Sequence, residues 1–318
     1  MIRLITRPEG ATTMKNFNLV RLLIISVLVI CLGISGCGSS SKDGQLPPDF
    51  SPPRVLVPEA PGSQVLGEAV LTLDISNMSQ GYLTALSEAD DKRANVQLLA
   101  PDGTLYSYFI EAGESAVIPF SGGSGQYQIT CYQQVSDSQY AALFAQSLDV
   151  TLDNEFLPYI YPNQYVNFTP ESEASTLARS MADEDTSDLD ALDAIYTYVT
   201  ENITYDYELA ETVDAGYLPD VDATLTSGTG ICFDYAALMT AMLRSLDIPC
   251  KLQIGYSGEI KHAWVDVYLK SKGWVEKAAF FDGDTWGRMD PTFASDSTDD
   301  SINEYIGDGD NYTVQFTR

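Results

Sequence analysis

The sequence predicts an α+β protein built in two parts. Short alternating runs broken by turn residues fill Gly67 to Val150, the mark of an all-β unit. Ser172 to Met181 and Leu189 to Thr200 read as helices, and from Cys232 the residues Ala236, Leu238, Met239, Met242, Leu243 and Leu246 fall at helical spacing. Lys261 to Leu269 and Tyr312 to Phe316 then alternate as strands of a second, antiparallel sheet.

The first segment, residues 1–36, reads as an export signal. Met14 to Arg21 is positively charged, and Leu22 to Leu32 is apolar but shorter than the ~20 residues of a membrane span. Ile34-Ser35-Gly36-Cys37 resembles the lipobox of bacterial lipoproteins, in which the cysteine is diacylated and becomes the mature N-terminus. Residues 37–62 are rich in Ser, Gly and Pro, with Pro47-Pro48, Pro52-Pro53 and Pro58, and read as an extended tether. The globular parts are then 63–152, all-β, and 153–318, the mixed unit.

Charge limits the partners. The chain has 17 Lys+Arg against 45 Asp+Glu, a net charge of −28. Arg3, Arg7, Lys15, Arg21 and Glu9 leave with the signal, so 13 basic residues face 44 acidic ones, a net of −31. Such a surface repels nucleic acid and anionic lipid. Membrane attachment therefore falls to acyl chains on Cys37, of which two are needed for a stable anchor.

In the all-β unit, strands are expected at 69–75, 96–100, 104–110, 116–120 and 126–132. Pro101-Asp102-Gly103 and Ser121 to Gly125 supply turns, so a small sandwich is expected, with no catalytic constellation in it. Farther on, Ser187-Asp188 can cap the helix that follows. The acidic stretches 183–188 and 296–310 lack a calcium-loop pattern and read as solvated faces.

The chemistry centres on Gly228 to Pro249. Its glycines form a tight loop, a largely apolar helix begins at Cys232, and Pro249 stops it. A cysteine in a helix's first turn meets unpaired N–H groups and the positive dipole end, which favour a thiolate nucleophile. Such a nucleophile needs a base and an orienting group. His262 is the chain's single histidine and lies in the alternating segment 261–269; Asp290 precedes Pro291 at the end of a later strand.

These residues resemble the transglutaminase-like superfamily: Gly230-Ile231-Cys232 with Tyr235-Ala236, Asp247-Ile248-Pro249, Ile254-Gly255-Tyr256, His262-Ala263-Trp264 and Met289-Asp290-Pro291-Thr292. An upstream stretch, Ala194 to Val199 leading to Ile203-Thr204-Tyr205-Asp206, fits the same pattern. The resemblance covers 162–316 and implies a papain-like α+β fold, with Cys232 as nucleophile, His262 as general acid/base and Asp290 orienting the imidazole. The Cys232 amide would help bind the oxyanion. Animal-type transglutaminases carry Gln before the cysteine, where Ile231 stands here, so Tyr205 becomes the candidate second donor. Tyr235 and Trp264 are candidates for the substrate cleft; Trp264 shares the strand face of His262 and reads equally as a core aromatic.

Beyond Cys31 and Cys37, three cysteines remain, and Cys131 and Cys250 are expected to be buried and outside any disulfide. One histidine and no zinc-spaced cysteine set leave no expected metal site, and no cofactor is implied. The expected function is an exported, lipid-anchored monomeric thiol enzyme acting on amide bonds of proteins or peptides at the cell surface, with hydrolysis ahead of cross-linking. The alternative is a non-catalytic surface binding protein that uses the same cleft as a docking groove.

Overall fold

The computed structural model describes residues 45–318, apart from 51–52, 69, 90, 137, 184, 215, 277–278, 282–285 and 289–311. Eight strands come first: β1 (Val65–Glu68), β2 (Leu71–Asp74), β3 (Tyr82–Ser87), β4 (Ala94–Leu99), β5 (Leu105–Ile110), β6 (Ser115–Pro119), β7 (Gly125–Ser136) and β8 (Gln139–Val150). They form two antiparallel sheets, ordered β1-β2-β3-β6 and β5-β4-β7-β8. Leu71, Leu73, Leu83 and Ile118 of one sheet share a core with Val96, Leu98, Tyr108 and Ile129 of the other. This is the expected sandwich, held by alternating inward side chains. Each buried leucine contributes roughly 2 kcal/mol of transfer free energy.

Strands β1, β3 and β8 lie where no run was expected. The β8 segment is rich in alanine, a weak strand former, and most of its residues are exposed. It becomes a strand because β7 pairs with it along almost its whole length.

The second part contains α1 (Glu173–Met181), α2 (Asp188–Asn202), β9 (Thr204–Tyr205), α3 (Tyr207–Thr212), α4 (Val221–Ser227), β10 (Thr229–Gly230) and α5 (Cys232–Arg244). Strands β11 (Cys250–Ser257), β12 (Ile260–Leu269), β13 (Gly273–Val275), β14 (Ala279–Phe281), β15 (Trp286–Arg288) and β16 (Tyr312–Thr317) follow. The Ser187 hydroxyl accepts from the Asp190 amide and so caps α2, as expected. The main sheet is antiparallel, in the order β13-β12-β11-β16. Ala263, Val265 and Val267 of β12 join Cys250 and Leu252 in one core with α5. Every residue of α5 from Asp234 to Arg244 is buried, as befits a helix apolar on nearly all sides. The sheet's other face carries Tyr268 and Trp274, which pack on Phe156 from the connection between the two parts.

Residues 45–318 make one compact unit, and the reason corrects the reading of 37–62 as a tether. From Gln45 on, the described residues of that stretch are docked. Val55 lies in the core around α5, and Leu56 packs with Phe156, Leu157 and Ile160. The Arg54 amide donates to Asp247 Oδ2 at 2.9 Å, and the Glu59 amide to the Tyr82 hydroxyl at 2.9 Å. The prolines do keep the chain extended, but two adjacent apolar residues are enough to lay it down as a strap.

Asp247 makes that strap sensitive to pH. It has a positive φ of 58°, a region Asp tolerates better than most residues. Burial pushes its carboxyl up to about 7, against the pull of the Arg54 amide. Unfolded, the same group titrates near ~3.9. A raised folded-state pKa means the folded chain holds the proton longer. Stability from this group is therefore full below about 4 and is lost as pH rises toward 7. Asp247→Asn should remove that dependence: urea midpoints measured at pH 5 and pH 8 should differ less in the variant than in the parent. Equal differences would show that burial does not bias this carboxyl.

Arg244, the last residue of α5, ties the layers together. It is fully buried, and burial lowers its guanidinium to about 10. It donates to Cys250 O at 3.0 and 2.8 Å, to Tyr161 O at 2.8 Å and to Arg318 O at 2.8 Å. All of these acceptors are carbonyl oxygens.

Candidate active site

Helix α4 ends on Gly228, whose left-handed φ of 65° turns the chain out. Thr229 and Gly230 then run parallel to Thr204 and Tyr205. The Thr204 amide bonds Gly228 O at 2.8 Å, and the Asp206 amide bonds Gly230 O at 2.9 Å. Ile231 is extended, with φ −97° and ψ 176°, so α5 starts at the next residue, Cys232.

The start of α5 is fixed by Asp234, which is 1% exposed. Its Oδ2 accepts the Ile231 amide at 2.8 Å, and its Oδ1 accepts the Tyr217 hydroxyl at 2.7 Å. Burial pushes this carboxyl up while both bonds pull it down. Gly230 is required here, because a Cβ on it would lie 2.7 Å from Asp234 Cβ. The carbonyl of Ile231 accepts the Asp234 and Tyr235 amides. Among the described residues nothing accepts the amides of Cys232 or Phe233. These are the orphan donors of a helix start, and they flank a half-buried free thiol.

His262 is the third residue of β12, pairs with Gly255 of β11 and is 6% exposed. Strand alternation gives the α5 side to Ala263 and Val265 and puts His262 and Trp264 on the opposite face. There the Tyr312 ring lies 6.1 Å from His262 and 5.0 Å from Trp264, edge-on to both. A Cβ on Gly255 would meet Thr313 O at 1.9 Å, so glycine lets β16 close onto this end of β11.

The other candidate positions divide. Trp264 shares the face of His262, as expected, and is 1% exposed, against the same Tyr312 ring. Tyr235 is corrected as a cleft residue: it is fully buried, and its hydroxyl donates to Ile203 O at 2.5 Å, anchoring the end of α2. Tyr205 is half-buried and held beside Gly230, with its ring 4.9 Å from that of Tyr207. Asp290 and Cys37 lie outside the described residues. Cys131 and Cys250 are buried, as expected, and burial pushes each thiol up to about 12. A cavity of ≈ 330 Å³ lies away from Cys232, beside the strap, among Phe50, Arg179, Asp247 and Lys270. Sequence reasoning missed Asp234 and Tyr217. The spacing of Asp234, three residues after the helix-capping position, was the available signal; Tyr217 had none.

A cysteine opening a buried helix, packed on an antiparallel sheet that carries the only histidine, defines a papain-like arrangement. Residues 175–291 match the model of the transglutaminase-like superfamily, and this part of the chain is a transglutaminase-like domain. Similar proteins include kyphoscoliosis peptidase of Mus musculus, 28% identical over 149 residues, which are 43% of this chain and 20% of that protein. The Homo sapiens protein of the same name is 30% identical over 125 residues, 36% of this chain and 18% of that one. The chain thus spans about a fifth of the length of these relatives. Among solved structures, a proposed cysteine protease from Cytophaga hutchinsonii has a TM-score of 0.35 at 14% identity, covering 74% of this chain and 83% of that one. Red sea bream transglutaminase has a TM-score of 0.27 at 13% identity, covering 68% and 49%. At these scores the superpositions add nothing to the fold assignment.

Proposed function

We propose that the chain is a thiol enzyme that cleaves or transfers acyl groups at amide bonds. The observation that carries this reading is the start of α5. Asp234 occupies the Ile231 amide, and among the described residues nothing accepts the Cys232 and Phe233 amides beside the thiol. Cys232 thiolate attacks the amide carbonyl, and those amides receive the oxyanion. His262 gives a proton to the leaving amine, with Asp290 holding the imidazole. Water then releases the acyl group from the thioester; an amine in its place gives an isopeptide. The similar mammalian proteins carry the name peptidase, which favours water.

A length match supports the pairing of Cys232 with His262. At the far end of the layer, Arg244 bonds Cys250, which pairs with Val267. From there α5 runs back ~18 Å to Cys232, and β12 runs back ~17 Å to His262. The imidazole then approaches over the end of the sheet, because Ala263 and Val265 fill the helix side. Residues 1–36 as export signal and Cys37 as lipid anchor would set this domain at the cell surface, on protein or peptide substrates.

The test is labelling of the folded protein with a thiol-reactive acyl probe, followed by mapping of the modified peptide. The adduct is expected on Cys232 alone, since Cys131 and Cys250 are fully buried. No adduct, or equally slow reaction at all three cysteines, overturns the reading.

A further inference from the structure

We infer that the β-sandwich positions the candidate active-site histidine, through Arg318 and Tyr312 at the two ends of β16. The catalytic consequence rests on the role proposed for His262. Among the described residues, strand β16 is an edge strand that pairs only with β11, and its middle residues Thr313, Val314 and Gln315 are exposed. Backbone pairing with β11 runs along the strand, so its side-chain hold on the rest of the protein is concentrated at the ends.

The Arg318 end is locked. This residue is 3% exposed. Its guanidinium carbon lies 4.2 Å from the ring centre of Tyr165, 4.7 Å from those of Tyr106 and Tyr108, and 5.3 Å from that of Phe316. Nη1 donates to the Tyr108 hydroxyl at 2.7 Å. Tyr106 and Tyr108 belong to β5 of the sandwich, so a cation in an aromatic cage pins the strand to the other part of the chain. The backbone of Arg318 is bonded both ways to Leu252, and its carbonyl takes the Arg244 guanidinium.

The Tyr312 end meets the imidazole. Tyr312 is 9% exposed and stands edge-on to both His262 and Trp264. A shift of β16 moves this wall directly, because Gly255 offers no side chain to stop it. Tyr312 and Arg318 are thus positioning residues, and the sandwich is the fixed body against which the imidazole is held.

One histidine in the chain makes the test clean. In untagged protein it gives a single imidazole Cε1–Hε1 resonance. At fixed pH, Tyr312→Leu should displace that resonance, and Arg318→Gln should move it part of the way in the same direction. Acylation of Cys232 by the probe should slow about 10- to 100-fold in both, as expected when a partner is misplaced by an ångström or less. Arg318→Lys, which keeps the charge but loses the fork, should give a smaller displacement and covers the case in which Arg318→Gln does not fold. If Arg318→Gln or Arg318→Lys lowers the melting temperature but leaves the resonance in place, Arg318 serves stability alone and the inference fails. It fails equally if Tyr312→Leu leaves the resonance unmoved. If the resonance responds while the parent protein takes no label at Cys232, the positioning stands and the thiol-enzyme reading falls.

Discussion

Cys232→Ala should abolish turnover and probe labelling and leave the fold in place. In the proposed mechanism Cys232 carries the acyl group between two covalent steps, so its loss should lower kcat by at least about 10³-fold, the scale on which nucleophile removal acts in acyl-transfer enzymes. Stability should change by no more than about 1 kcal/mol, because the half-buried side chain leaves only a small void at the helix start. The Asp234 bond to the Ile231 amide uses no atom of Cys232 and persists. Acyl-probe mass spectrometry together with urea unfolding separates the two effects. Residual turnover near the parent rate would remove Cys232 from the reaction.

Arg244→Ala should be the most destabilising single change among the described residues. It strips four hydrogen bonds from three carbonyls, two of them on buried residues, and opens a large void at the junction of α5, β11 and the connection between the two parts. Unsatisfied carbonyls and the cavity together suggest a loss of about 3–5 kcal/mol. Arg244→Lys keeps a cation but cannot reach three carbonyls at once, and should lose a smaller share of that stability. Urea midpoints measure both. A loss below about 1 kcal/mol for the alanine variant would mean that water replaces the guanidinium at this site.

The helix that Cys232 opens was legible because three local signals agree: a glycine loop, an apolar period and a proline stop. His262 was legible because it is alone in an alternating strand. Helices α3 and α4 escaped notice because they have 6 and 7 residues, too short for periodicity to speak. Only their capping aspartates, Asp206 and Asp220, announce them. Strand β8 carried too little β propensity to be read before its partner was known. The roles of Arg244 and Arg318 had no local signal, since their partners lie far along the chain. The strap misled for a physical reason: proline keeps both a free tether and a docked one extended, and Val55 with Leu56 decides between them.

That strap shortens the reach of any anchored form. Gln45 bonds Asp153 O, and Leu46 O accepts from Asn154, so the chain is fastened from that point on. With Cys37 acylated, the seven residues 38–44 separate it from the fastened Gln45, a leash of ~28 Å at full stretch. The point of attachment beside Asp153 could then lie no farther than that from the bilayer. Only substrates that come within that narrow layer of the surface would be within range.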